Sequence, residues 1–193
     1  EVVAKYPEGD PRRSVLVTSG GVASGKGYAL ANAAGTSDLA TKVGAVWDAA
    51  GEQNAAENPW VLAECKKRGL KPIFAYIHAD PADRWENPKS GVVERAGKKG
   101  RMVDARVFAD SYSIGAKNFQ AFAEKHQGEA DFVFIDNATG GKPQLAESMP
   151  PKALEVDGER LYAQATNMIE DQYLEGKVSD PVLRGGTMGQ RVW

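Results

Sequence analysis

The sequence predicts an α/β fold, a three-layer α/β/α arrangement around a mostly parallel sheet of about four to five strands. Three observations carry that expectation. Short runs rich in β-branched and aromatic residues alternate with longer helix-forming stretches, the order of a parallel sheet with helical crossovers. One such run, residues 14–18, passes through a glycine-rich segment, Gly20-Gly21-Val22-Ala23-Ser24-Gly25-Lys26, into a helix-forming stretch. The residues of chemical interest also follow strand ends, where ligands bind in sheets of this kind.

Taken in order, residues 14–18 (Ser-Val-Leu-Val-Thr) read as a buried strand bounded by Arg12-Arg13 and by glycines. Residues 28–34 are helix formers stopped by Gly35. Residues 42–47 read as a second strand ending at Asp48. Residues 57–68 read as a helix terminated by Gly69, and 71–78 as a third strand. Asp80-Pro81 opens a helical stretch that carries the basic segment 95–101. Residues 104–126 form a long helical pattern with Val107, Phe108, Ile114, Phe119 and Phe122 at apolar positions. Residues 131–136 (Asp-Phe-Val-Phe-Ile-Asp) are a fourth strand, followed by Asn137 and the loop Thr139-Gly140-Gly141. The last helix falls within 158–176, and the glycine-rich tail from 184 reads as irregular.

Composition bounds the function. A chain of 193 residues fits one domain, with 42% hydrophobic and 26% charged residues typical of a globular protein. The longest apolar runs are too short to cross a bilayer. A formal net charge of -2 supplies no basic field for a nucleic-acid backbone, so a nucleic-acid partner is not expected. One cysteine, Cys65, excludes an internal disulfide and reads as a core residue of its helix. Two histidines are too few for a zinc centre or a Ser-His-Asp device. With no signal-peptide pattern, a cytoplasmic location is expected. A first residue other than Met leaves room for the domain to be part of a longer protein.

The glycine segment carries the chemistry. A strand, then Gly-x-x-x-x-Gly-Lys, then a helix is the context of a P-loop. Glycines let successive N–H groups converge on one concavity, and the following helix turns its positive end to the same anion. Gly20 through Lys26, with Gly27 and Tyr28, are therefore expected to hold the phosphates of ATP or GTP. Lys26 supplies a point charge for the β- and γ-phosphates. The bland alternative is a tight strand-to-helix turn with an incidental lysine. One departure matters: Gly27 stands where a Ser or Thr hydroxyl usually binds Mg2+, and Tyr28 follows it. The ion must then find other ligands, and Ser24 and Thr18 are the nearby hydroxyls.

Three segments in order, residues 75–81 (Ala-Tyr-Ile-His-Ala-Asp-Pro), 92–103 (Val-Val-Glu-Arg-Ala-Gly-Lys-Lys-Gly-Arg-Met-Val) and 132–137 (Phe-Val-Phe-Ile-Asp-Asn), resemble the zeta toxin family. With the glycine loop, the resemblance spans roughly residues 14–137. It implies a P-loop small-molecule kinase of toxin–antitoxin type, with a small-molecule phosphate acceptor and an antitoxin or inhibitor protein as partner. By the same resemblance, Arg95 and Arg101 contact the transferring phosphate, and Asp136 and Asn137 sit by the nucleotide base. Phosphoryl transfer needs such cations around the γ-phosphate, and the arginine fork suits that task. Lys98 and Lys99 would add field. The bland readings are a solvated basic turn and a strand-capping turn.

The chain departs from the family between the loop helix and the third strand, where residues 36–70 leave room for one strand instead of two and a helical insert. Asp48 is the best acid at the sheet edge, as proton acceptor or Mg2+ ligand, with Asp38 second. Trp47, Trp60 and Trp85 read as core or pocket wall, His78 as a polar strand end, and Arg84 equally as phosphate ligand or surface. Two functions compete: a kinase, and a nucleotide-binding module without turnover that belongs to a larger protein.

Overall fold

The computed structural model describes residues 2–36, 39–49, 54–86, 91–99, 103–138 and 142–176. Helix α1 (Val2–Lys5) precedes strand β1 (Ser14–Gly20), helices α2 (Lys26–Asn32) and α3 (Leu39–Lys42), and strand β2 (Ala45–Asp48). Helix α4 (Asn54–Lys67) leads to strand β3 (Lys71–His78), then helices α5 (Pro81–Glu86), α6 (Val92–Lys99) and α7 (Ala105–Lys125). Strands β4 (Asp131–Asp136) and β5 (Gln144–Ala146) and helices α8 (Pro151–Leu154) and α9 (Gly158–Leu174) complete the order. The strands form one sheet in the order β2-β1-β3-β4-β5, parallel except for the β4–β5 pair. The α/β class and the mostly parallel sheet match the sequence expectation, and the antiparallel β5 makes the sheet mixed.

Central strands β1 and β3 are covered on both faces, which is why they read as unbroken apolar runs instead of alternating ones. Val17, Phe74, Tyr76 and Phe134 point to a cluster built with Val61 and Leu62 of α4, Phe119 and Phe122 of α7 and Ala153 of α8. The alternate residues Leu16, Ile73, Ala75, Ile77 and Ile135 pack against Ala29, Leu30 and Ala33 of α2 and next to it. A third cluster joins α5, α6, α7 and α9 through Trp85, Val92, Phe108, Tyr112 and Leu161. Val22 and Ala23, from the segment after β1, pack on that cluster, so the third core seats the glycine segment directly.

Asp104 caps α7, accepting from the Arg106 and Val107 amides, and Asp157 caps α9 through the Glu159 and Arg160 amides. Cys65 is buried and free, and burial pushes its thiol up to about 11, as expected of a packing residue. Among the described residues no helix is long and apolar enough to cross a membrane.

Several boundaries differ from the sequence reading. Strand β2 starts at Ala45 because residues 39–42 form α3, whose Leu39 joins the α2 core. Strand β5 spans three residues and exists through its pairing with β4, too short for an alternation signal. Of Trp47, Trp60 and Trp85, the last is core at 1% exposure. Trp47 and Trp60 lie on the surface, their ring centroids 5.6 Å apart, because β2 is the edge strand and no described strand pairs with its outer side.

Candidate functional site

The chain leaves β1 toward β2 on one side and later returns to β3 on the other, so the strand order reverses at β1. The crevice above that reversal is where open α/β sheets bind ligands, and residues 21–25 occupy it. The backbone from the end of β1 takes conformations that ordinary residues avoid: Gly20 at φ 146°, Ala23 at φ 61° and Gly25 at φ 77°. A Cβ on Gly20 would lie 2.4 Å from the Ile77 carbonyl oxygen, and one on Gly21 would lie 2.4 Å from the Tyr112 ring. Gly20→Ala is therefore expected to cost about 2–4 kcal/mol from backbone strain and overpacking. Urea denaturation monitored by tryptophan fluorescence measures it, and a loss below about 1 kcal/mol contradicts the crowding.

The loop is held from behind. Ser111 Oγ accepts from the Val22 amide at 3.0 Å, and Tyr112 donates to the Val22 carbonyl at 2.8 Å. Asn137, 4% exposed, donates from Nδ2 to the Ser24 carbonyl at 2.8 Å and from its backbone to the His78 carbonyl at 2.8 Å. Arg84 donates from Nη2 to the Asn137 carbonyl at 3.0 Å. These bonds tie helix α7 and the ends of β3 and β4 to the loop. The amides of Gly25, Lys26, Gly27 and Tyr28 have no hydrogen-bond partner among the described residues, as the first turn of a helix requires. The loop is braced where it meets protein and unsatisfied where it meets solvent.

Lys26 opens α2, and its Nζ stands 3.4 Å from Asp48 Oδ1. Thr18 Oγ1 donates to the same oxygen at 2.7 Å, across the β1–β2 register that pairs Thr18 with Asp48. Asp48 is 68% exposed at its side chain and Lys26 19%, so the ion pair itself is worth about 0–1 kcal/mol. A triphosphate offers Lys26 charge-assisted bonds of about 1.5–3 kcal/mol each, enough to take it from Asp48.

The donor set suits Mg2+ bound with a nucleotide. It comprises one exposed carboxylate fixed by a hydroxyl, and Mg2+ commonly uses one or two carboxylates with substrate phosphates and water. Asp48 is the residue that would hold the ion. Among the described residues no group of three His, Cys, Asp or Glu forms a metal cage of its own. Space is open around Gly27, with nothing within 4 Å of where its Cβ would stand.

Other candidates are placed as follows. Arg95 lies on α6, with its side chain outside the described residues; Arg101 and Asp38 are outside them altogether. Asp136 ends β4 beside His78 and accepts from the Ala138 amide at 2.9 Å, a turn-forming contact. Arg84 is largely buried against the loop's brace instead of lying on the surface. Sequence reasoning did not find Ser111, Tyr112 or the Thr18–Asp48 contact as parts of this site. Their partners lie 89, 90 and 30 residues away, beyond any local pattern.

His78, at the end of β3, is 4% exposed. Burial holds its imidazole below the usual 6.5; the carboxylates of Asp136 and Asp80 pull the other way, and Lys152 adds to the lowering. A histidine with a lowered folded value stays neutral while the unfolded chain takes up a proton. Its contribution to stability is present above pH 6.5 and is lost as pH falls from there toward the folded value. His78→Gln should flatten this part of the stability profile. Denaturation midpoints of both proteins between pH 7.5 and 5 check it, since the difference removes the carboxylates common to both.

No family model matches the sequence, and no curated protein matches it. Among solved structures, the chain is similar in fold to one in a crystal structure titled as the native AvrRxo1-ORF1:-ORF2 complex. The match has 13% identity and a TM-score of 0.50, over 87% of this chain and 71% of that chain.

Proposed function

We propose that this chain is a P-loop phosphotransferase of zeta-toxin type that moves the γ-phosphate of ATP or GTP to a hydroxyl of a small molecule. The observation that carries the reading is the set formed at the reversal of strand order. Amides at the start of α2 with no partner among the described residues, Lys26 and the Thr18-oriented carboxylate of Asp48 stand together above β1. Positioning and electrostatic stabilisation are nearly all that phosphoryl transfer asks of a protein. In this reading the loop amides and Lys26 hold the phosphates, and Asp48 holds Mg2+ or accepts the acceptor's proton. Arg95 and Arg101 neutralise charge on the transferring group. The three-layer P-loop kinase architecture belongs to the same proposal, as does a restraining protein partner. The similar solved fold comes from a two-component complex, which is compatible with such a partner.

The test is direct. Purified protein with ATP or GTP and Mg2+, supplied with a soluble metabolite extract, should yield a new phosphorylated species by mass spectrometry. Failure to bind either nucleotide overturns the proposal.

Gly27 favours a second reading, a nucleotide-binding module without turnover, because no hydroxyl follows Lys26. That reading expects nucleotide affinity unchanged by Mg2+ and no phosphorylated product. An affinity that rises with Mg2+ excludes it.

A further inference from the structure

A cleft of about 630 Å3 lies at the carboxyl ends of β3 and β4, walled by α5, α8 and α9, and its size suits a small molecule. His78 lines it. Strand alternation puts this side chain on the same face as Tyr76, toward the core shared by α4, α7 and α8, whereas Ile77 faces α2. The cleft therefore lies on the sheet face away from the helix that follows the glycine loop. The imidazole is more than nine-tenths buried and has no hydrogen-bond partner among the described residues, although it borders open space. A neutral imidazole offers one donor and one acceptor, and this one, unspent at a cleft wall, is placed to bind a ligand there.

Facing it are Lys152 on α8 and Arg160 on α9, neither with an ion-pair partner among the described residues. Three carboxylates share the wall: Asp80, Glu155 and Asp157. Asp80 and Asp157 are already spent in part, accepting from the backbone amides that open α5 and α9. Two cations against three acids disfavour a polyanion such as a triphosphate. They suit a molecule with one anionic group for Lys152 and Arg160 and hydroxyls for the carboxylates and the imidazole. Among the described residues no Phe, Tyr or Trp lines the cleft, so they offer no aromatic platform for a nucleobase.

We propose that this cleft is a second ligand site, which takes a small polyhydroxylated molecule bearing a single phosphate or carboxylate. Lys152 and Arg160 grip the anion, and His78 accepts a hydrogen bond from a hydroxyl. The site goes beyond the phosphotransfer reading and stands without it.

The chain has two histidines, so its imidazole NMR signals report the site with an internal control, His126 near the far end of α7. Glucose 6-phosphate, glucuronate and glucose are titrated into protein labelled at histidine. One or both anionic sugars should shift the His78 signals saturably and leave those of His126 in place. Glucose should bind at least tenfold more weakly. Whichever anion binds identifies the source as a phosphate ester or a carboxylate. A Lys152→Ala/Arg160→Ala double variant should lower the anion's affinity tenfold or more, to the level of glucose, and Lys26→Ala should leave it intact. The site is refuted if no probe moves His78, if glucose binds as well as the anions, or if the double variant binds like wild type. Competitive displacement of the probe by ATP also refutes it, because the cleft would then belong to the nucleotide. Nucleotide binding without any probe response sinks this site alone, and a probe response without nucleotide binding sinks only the phosphotransfer reading.

Discussion

Lys26→Ala is expected to weaken ATP or GTP binding by about 100-fold or more while leaving the protein folded. The lysine should make at least two charge-assisted bonds to phosphate oxygens, at about 1.5–3 kcal/mol each, and every 1.4 kcal/mol is a factor of ten. In the free protein the partner of the same ammonium among the described residues is the exposed Asp48, worth about 0–1 kcal/mol. The large loss therefore falls on binding and the small one on stability. Titration calorimetry measures the first, and a thermal melt within a few degrees of wild type checks the second. Lys26→Arg should not restore full affinity, because a planar fork replaces a compact charge on the wall of a tight loop. Wild-type affinity in Lys26→Ala would show that the nucleotide binds elsewhere, whatever the loop resembles.

Asp48→Asn should reduce phosphate transfer by about 10²–10⁴, the range for loss of a positioned base. Nucleotide binding without Mg2+ should hold or improve, since the carboxylate competes for Lys26 and repels a polyanion. Mg2+ should no longer tighten binding. This opposition of signs separates a metal or proton role from a structural one: a merely damaged site loses both. Thr18→Val serves as the graded control. It keeps the shape of the side chain, removes the donor 2.7 Å from Asp48 Oδ1, and frees the carboxylate to rotate. A loss of roughly tenfold in the same direction is expected, with recovery in Thr18→Ser. Transfer and Mg2+ response unaltered in Asp48→Asn would take both the metal and the proton role away from Asp48.

The α/β class was legible because its signals are local. Strand β3 spans residues 71–78 and β4 spans 131–136, the limits that their apolar runs and flanking polar residues predict. Helix α7, Ala105–Lys125, falls within one residue at each end of the predicted helical pattern 104–126, and Asp104 caps it. Where the reading slipped, a distant partner decided. β5 exists through β4, α3 through the α2 core, and the surface position of Trp47 follows from β2 lying at the sheet edge. An aromatic residue in a short strand looks the same in sequence whether its strand is central or peripheral.

The sequence by itself determined the order of strands β1 to β4 and of helices α2, α4, α7 and α9, the glycine loop with its lysine, and the absence of a hydroxyl at Gly27. Hydrophobic period, glycine spacing and residue identity are properties of contiguous residues, and each can be read without a fold. Only the tertiary structure decided what stands around the loop. Parallel pairing of β1 with β2 sets Thr18 beside Asp48 and brings Asp48 to Lys26, while Asn137 and α7 close the loop's rear. Those contacts join residues 22 to 113 positions apart, through strand register and helix packing that no stretch of the chain encodes alone.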